Sequence, residues 1–152
     1  MSISTARQGH TYPPAPPYQV SRETIREFAV AVKADHPAHQ DPQAARELGH
    51  RDLIAPPTFA VVAAQRAEAA VVNDPEAGID FSRVVHAEER FTHHSPITAG
   101  DTLSAQTTLE RIRVMGSGAM VTTRTEITAE DGAARATVTS SLLVRADESE
   151  EK

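Results

Sequence analysis

Between Ser21 and Val32 the apolar residues Ile25, Phe28, Ala29 and Val32 fall at i, i+3, i+4 and i+7. This spacing predicts a helix that buries one face, with Ser21 as its cap. Asp41 and Pro42 read as the N-cap and first residue of a short second helix that Gly49 closes, which leaves 35–40 as a loop between two helices. From Thr58 to about Val72 the chain is dense in Ala and Val, with Arg66 and Glu68 as the main charges. That pattern predicts a helix buried on most sides, with Val61, Val62 and Val71 in the core. Asn73, Asp74, Pro75 and Gly78 end it. Strand-like stretches follow at 83–94, 102–115, 119–129 and 134–145, separated by Pro96–Gly100, Gly116–Gly118 and Asp131–Gly132, the last two reading as hairpin turns. Val121, Thr123, Thr125 and Ile127 alternate with Thr122, Arg124, Glu126 and Thr128, the period-2 signature of a sheet with one wet face. Helices first and an antiparallel meander afterwards is an α+β plan.

Pro13, Pro14, Pro16 and Pro17 favour an extended segment, so residues 1–17 read as a partly flexible lead-in, 18–146 as one domain and 147–152 as an acidic, disordered tail. Aromatic residues are only 4% of the 152, so the core must rest on Ala, Val, Ile and Leu, with Phe28, Phe59, Phe81 and Phe91 as its larger fillers. A formal charge of -6 without a basic stretch argues against nucleic acid as a partner. The absence of Cys excludes disulfides, thiolate metal sites and a thiol nucleophile. The first ten residues lack the apolar core of a signal peptide, and the longest apolar run, around Phe59–Ala64, is too short to span a bilayer. The expectation is a soluble, cytoplasmic protein with no membrane partner. His93 and His94 are neighbours on a strand, point to opposite faces and cannot chelate one ion together, so no metal or other cofactor is expected. Gly100 and Asp101 read as a turn, a backbone need for Gly followed by an Asx-type bond.

Three segments, in this order, resemble one family. DHPAHQDPQAARELGH resembles the signature loop G-D-x-N-P-x-H-x-D-P and short helix of the MaoC-like (R)-specific enoyl hydratases and (3R)-hydroxyacyl dehydratases. LIAPPTF resembles the entry to their central helix, and RFTHHSPITAGDTL their strand, turn and strand with P-[IVL]-x-A-G-D-x-L. The resemblance spans about residues 18–145 and implies a hot-dog fold, a curved antiparallel sheet wrapped around a long central helix. FAS1-like dehydratase subunits of actinobacterial type, which pair with a second hot-dog chain, are the most similar in pattern.

The family's reaction removes water from a 3-hydroxyacyl thioester. It needs a base for the C2 proton, an acid for the departing oxygen and N–H donors for the enolate oxygen. The resemblance assigns these to a His, an Asp five residues before it, and backbone amides that include a Gly at the start of the central helix. Aligning Pro37 with the signature proline puts His39 on the catalytic His, His36 on the Asn and Ala34 on the Asp; Asp35 stands one residue late. Pro57 falls on the donor Gly and has no N–H to give, while Thr58 offers a hydroxyl or N–H in its place. Losing one oxyanion donor costs roughly a hundredfold in rate. The reading that follows is a subunit holding acyl-carrier-protein or coenzyme A thioesters with Pro57, Thr58 and Phe59, paired with a MaoC-like chain that carries the intact dyad. Two alternatives stay open: a self-sufficient homodimeric hydratase using Asp35 and His39, and a non-enzymatic acyl-thioester binding protein. Dimerisation is expected in each case, since an isolated hot-dog sheet leaves an edge of unpaired backbone groups.

Overall fold

The computed structural model describes residues 4–145. Helix α1, Arg22–Ala31, starts where the sequence indicates: the Thr24 N–H donates to Ser21 Oγ at 3.1 Å. Ile25 and Ala29 are fully buried, and Phe28 packs edge-on against Phe59 with centroids 5.3 Å apart. Val32 does not join that face. The helix ends one residue earlier, Val32 is its C-cap, and its side chain is 45% exposed. Helix α2, Pro42–Glu47, has Asp41 as its cap and Gly49 at φ +91° just past its end, as the pattern predicts.

A 3₁₀ turn, Pro57–Phe59, leads into the central helix α3, Ala60–Val72. Its buried face is made of Ala60, Ala63, Ala64, Ala67, Glu68 and Val71, while Val61 and Val62, expected in the core, are only half-buried. The helical period explains the difference: the residues at 60, 63, 64, 67, 68 and 71 share one stripe, and 61 and 62 flank it. Because four of those six side chains are methyl groups, the helix axis lies close to the sheet.

The sheet is antiparallel with order β1-β3-β4-β5-β2 and curls around α3. Its strands are β1 (Tyr18–Gln19), β2 (Val84–His93), β3 (Thr102–Met115), β4 (Gly118–Thr128) and β5 (Ala134–Arg145). The alternation read in β4 holds: Val121, Thr123, Thr125 and Ile127 are buried and their neighbours are not. One inner-face row crosses the sheet as Leu109, Thr123, Ser140 and Glu89.

The two long edges differ. Along β3 the lead-in adds backbone hydrogen bonds from Gly9 to Leu109, Leu109 to His10, Tyr12 to Thr107 and Ala15 to Ala105, and the side chain of Tyr12 is buried. Beyond it β1 pairs with Leu103 and Thr102. Among the described residues no strand pairs with the outer edge of β2. No helix of the described chain is long and apolar enough to cross a membrane. The acidic tail expected at 147–152 lies outside the described residues.

If the alanine stripe sets the distance between helix and sheet, Ala64→Leu should overpack the interface and lower stability by about 1–3 kcal/mol. Urea unfolding followed by circular dichroism measures this; an unchanged midpoint would show slack at the interface.

Candidate functional site

The chain leaves α1 through a left-handed residue. Lys33 has φ +59°, with its N–H donating to Val30 O at 3.2 Å and the Ala34 N–H reaching back to Ala29 O at 2.8 Å. This is a Schellman closure, normally made with Gly, and Lys33 stands where the signature loop has its Gly. The loop then turns sharply: His36 Nδ1 accepts from the Ala38 N–H at 3.1 Å, and Pro37–His39 form a 3₁₀ turn. The Arg26 guanidinium holds its far end by donating to Gln40 O at 3.0 Å.

His39, 7% exposed, is anchored by its Nδ1 to Ile54 O at 2.7 Å. A carbonyl only accepts, so Nδ1 carries the proton. In the neutral ring Nε2 is then the basic nitrogen, which is the tautomer a general base needs. The same backbone stretch is pinned from both sides, because the Ile54 N–H donates to Ala38 O at 3.2 Å and the Ala55 N–H to Ile97 O at 2.8 Å.

These contacts form the walls of a mainly apolar cleft of about 590 Å³. Its lining comes from three stretches: His36, His39 and Leu48, then Ile54–Pro57, then His93–Ile97. His93 stacks parallel on Phe91, with centroids 6.2 Å apart, whereas His94 Nε2 lies 3.0 Å from Thr137 Oγ1. The two reach the same cleft because it opens at the end of β2. Among the described residues no carboxylate lines it, and no group of three or more His, Cys, Asp or Glu has the arrangement of a metal site. Asp35 is exposed and outside the lining. Pro57 is exposed and lines the cleft; Thr58 is exposed and does not, and Phe59 is fully buried between Tyr18 and Phe28. Of the residues singled out in the sequence, the structure brings His36, His39, Pro57, His93 and His94 together.

The residue that fixes the third wall was read only as a turn former. Asp101 is completely buried, and besides accepting from the Thr98 N–H at 3.0 Å it meets two guanidinium groups. Arg135 Nε lies 3.1 Å from Oδ2 and Arg51 Nη2 2.5 Å from Oδ1. Arg135 also donates to Ser95 Oγ at 3.1 Å, so the buried charge holds the turn beside the cleft. Burial pushes the Asp101 carboxyl upward, but the bonds from Arg135, Thr98 and Arg51 outweigh it and hold the group below its usual range. Arg51 and Arg135 are remote in sequence, and only the fold joins them to Asp101.

A model of the FAS1-like dehydratase domain region matches residues 6–138. The chain belongs to this family. Among relatives of this FAS1-like dehydratase chain, a UPF0336 protein of Saccharopolyspora erythraea is 47% identical over 145 residues, covering 95% of this chain and 93% of the relative. One from Leifsonia xyli is 47% identical over 146 residues, covering 96% and 98%. Among solved structures, the truncated HadBC (3R)-hydroxyacyl-ACP dehydratase complex of Mycobacterium tuberculosis is 33% identical with TM-score 0.77, covering 91% of this chain and 98% of that one. A MaoC-like dehydratase is 31% identical with TM-score 0.86 over 94% of this chain; this chain spans 43% of its length. The fold of the FAS1-like dehydratase chain is the hot-dog fold that the sequence implied. The ChsH1–ChsH2 complex of Mycobacterium tuberculosis shares that fold at 16% identity, with TM-score 0.68.

Removing the buried carboxylate strands Arg135, so Asp101→Ala should cost about 3–5 kcal/mol. The depressed pKa adds a sign: the stability from Asp101 is present above the ordinary carboxylate pKa and is lost as pH falls through its lower folded value. Asp101→Asn should therefore lose stability near neutrality and show a shallower further loss in acid, as measured by thermal unfolding across pH.

Proposed function

We propose that this FAS1-like dehydratase chain is the acyl-thioester-binding subunit of a (3R)-3-hydroxyacyl-thioester dehydratase/hydratase, and that it works beside a MaoC-like hot-dog chain that supplies the Asp/His dyad. The observation that carries this reading is a cleft with a buried, tautomer-fixed histidine and no carboxylate in its lining. A base without an acid lacks the group that assists departure of the C3 oxygen. Ala34, half-buried at the end of the Schellman closure, stands at the acid position, and Asp35 projects outside the cleft lining. Pro57, in the cleft lining and without an N–H, aligns in sequence with the donor Gly of the resemblance.

The substrate class fits the shape. A mainly apolar cleft suits an acyl group, and the histidines in its lining suit a thioester carbonyl. The place for the partner is the outer edge of β2, a ten-residue strand that, among the described residues, pairs on its inner edge only, with β5, and whose end, at His93, borders the cleft. A partner pairing there comes within reach of the acyl site. The relatedness to HadBC, described as a complex, supports the pairing. The chain works in fatty-acid-type metabolism in the cytoplasm, with no cofactor.

One observation favours a second reading, in which the chain is catalytic: the His39 to Ile54 bond leaves Nε2 as the basic nitrogen of the neutral ring. Here Asp35 would have to swing inward.

Steady-state hydration of crotonyl-coenzyme A separates the two. The lone chain should turn over negligibly. Co-expressed with a hot-dog chain carrying an intact G-D-x-N-P-x-H loop, it should gain activity, and His39→Ala should then alter mainly KM, whereas mutating the partner's own His abolishes turnover. A loss of kcat on the order of a thousandfold from His39→Ala, with KM and folding unchanged, would overturn the proposal in favour of His39 as the base.

A further inference from the structure

The inner face of the sheet carries a polar row under the middle of α3 that the cleft does not use. Glu68, on the stripe of α3 that faces the sheet, is 9% exposed, and its Oε1 meets two hydroxyls: Ser140 Oγ at 2.8 Å and Thr123 Oγ1 at 3.2 Å. Ser140 Oγ also lies 2.8 Å from Glu89 Oε1, a carboxylate directly opposite it on β2. The proton count of this arrangement is the decisive point. A serine hydroxyl has one hydrogen and two acceptor lone pairs, whereas an ionised carboxylate can only accept. With both carboxylates ionised, a single hydrogen would have to serve two oxygens at 2.8 Å. With one carboxyl protonated, every contact is satisfied: Thr123 donates to Glu68, Glu68 O–H donates to Ser140, and Ser140 O–H donates to the Glu89 carboxylate.

We propose that Glu68, Ser140 and Glu89 form a proton-holding site in which one proton is kept on Glu68, and that this proton fastens the edge strand β2 to the central helix. Glu68 is the holder because it is the more buried of the two, and burial is the largest influence raising its carboxyl, with the Glu89 charge adding to it. The charged groups that act on it both come from β2: Glu89, and the exposed His86, whose positive form opposes the rise. From β4 and β5 come the Thr123 and Ser140 hydroxyls, and the buried inner face of β3, Leu103 to Ile112, is not ionisable. Release of the proton leaves two carboxylates competing for one hydroxyl and repelling each other across it. The half that yields is Glu89, next to the strand irregularity between His86 and Glu88.

The sign follows from linkage. A carboxyl raised in the folded state contributes stability that is fully present below its ordinary pKa and is lost as pH rises through the folded value. The stability contributed by this site should therefore fall as pH rises above the ordinary carboxylate range.

The test uses the full-length chain and infrared spectroscopy, which sees the C=O stretch of a protonated carboxylic acid apart from ionised groups. The wild type should show this band at mildly acidic pH and lose it on alkalinisation, and Glu68→Gln should lack it. Glu68→Gln, whose amide replaces the donor, should also remove the fall in urea midpoint with pH, and the protection of β2 amides, corrected for intrinsic exchange, should lose its pH dependence. Glu89→Gln, on the half-exposed side, should move the disappearance of the band to lower pH, because it removes the like charge. No acid band in the wild type at mildly acidic pH, or a band that survives in Glu68→Gln, overturns the proposal. Should Glu68→Gln fail to fold, Glu89→Gln decides alone: an unmoved titration of the band overturns the proposal.

Discussion

Everything in this molecule depends on how closely α3 approaches the sheet. Ala60, Ala63, Ala64 and Ala67 give the helix a face one methyl deep, and a sheet can curl tightly only around a slender object. Curling brings β2 round toward the other side of the helix from β3, and it carries the His93–Ile97 turn over to the Ile54–Pro57 segment that precedes α3. The cleft is thus a by-product of small side chains placed elsewhere. A bulkier helix would hold these walls apart even with every cleft residue unchanged.

Within that frame, polar groups locate what apolar packing leaves free to slide. Apolar contacts are non-directional, so a stripe of alanines fixes spacing but not register. Asp101 and Glu68 add direction at two places. The first ties the turn after β2 to β5 and to the segment before α3 through two arginines. The second ties the middle of α3 to β4, β5 and, through Ser140, β2. Both are acidic and buried: at Asp101 the bonds from Arg135, Thr98 and Arg51 outweigh burial and pull the carboxyl down, whereas at Glu68 burial, reinforced by the Glu89 charge, outweighs the two hydroxyls and pushes it up.

Much of the fold was legible in the sequence because it is written in local signals. Ser21, Asp41, Gly49 and the β4 alternation act over a few residues, and the structure uses each as expected. Val32 and the pair Val61 and Val62 were misread for a common reason: hydrophobicity says that a side chain prefers burial, but the exact end and rotation of a helix decide whether it obtains it. The lining of the candidate cleft was legible where a resemblance supplied a pattern, at His39 and Pro57. It was not legible at Asp101, whose partners lie 50 and 34 residues away, or at Glu68, which looked like one of two charges on an otherwise apolar helix. Long-range polar pairing leaves no trace in a single chain's periodicity.

The unequal edges of the sheet have a consequence for growth. A sheet with two free margins is a template at both ends, and stacking copies edge to edge has no natural stopping point. Here the lead-in and β1 occupy the β3 margin with the chain's own backbone, using segments where Pro13, Pro14, Pro16 and Pro17 cannot donate to a further strand. The β2 margin is the long one left open among the described residues, since β1 at the other end is only two residues. Two such sheets that meet through it would leave outside only the short, proline-flanked margins, so the proline-rich start of the chain acts as a terminator that makes any edge pairing finite.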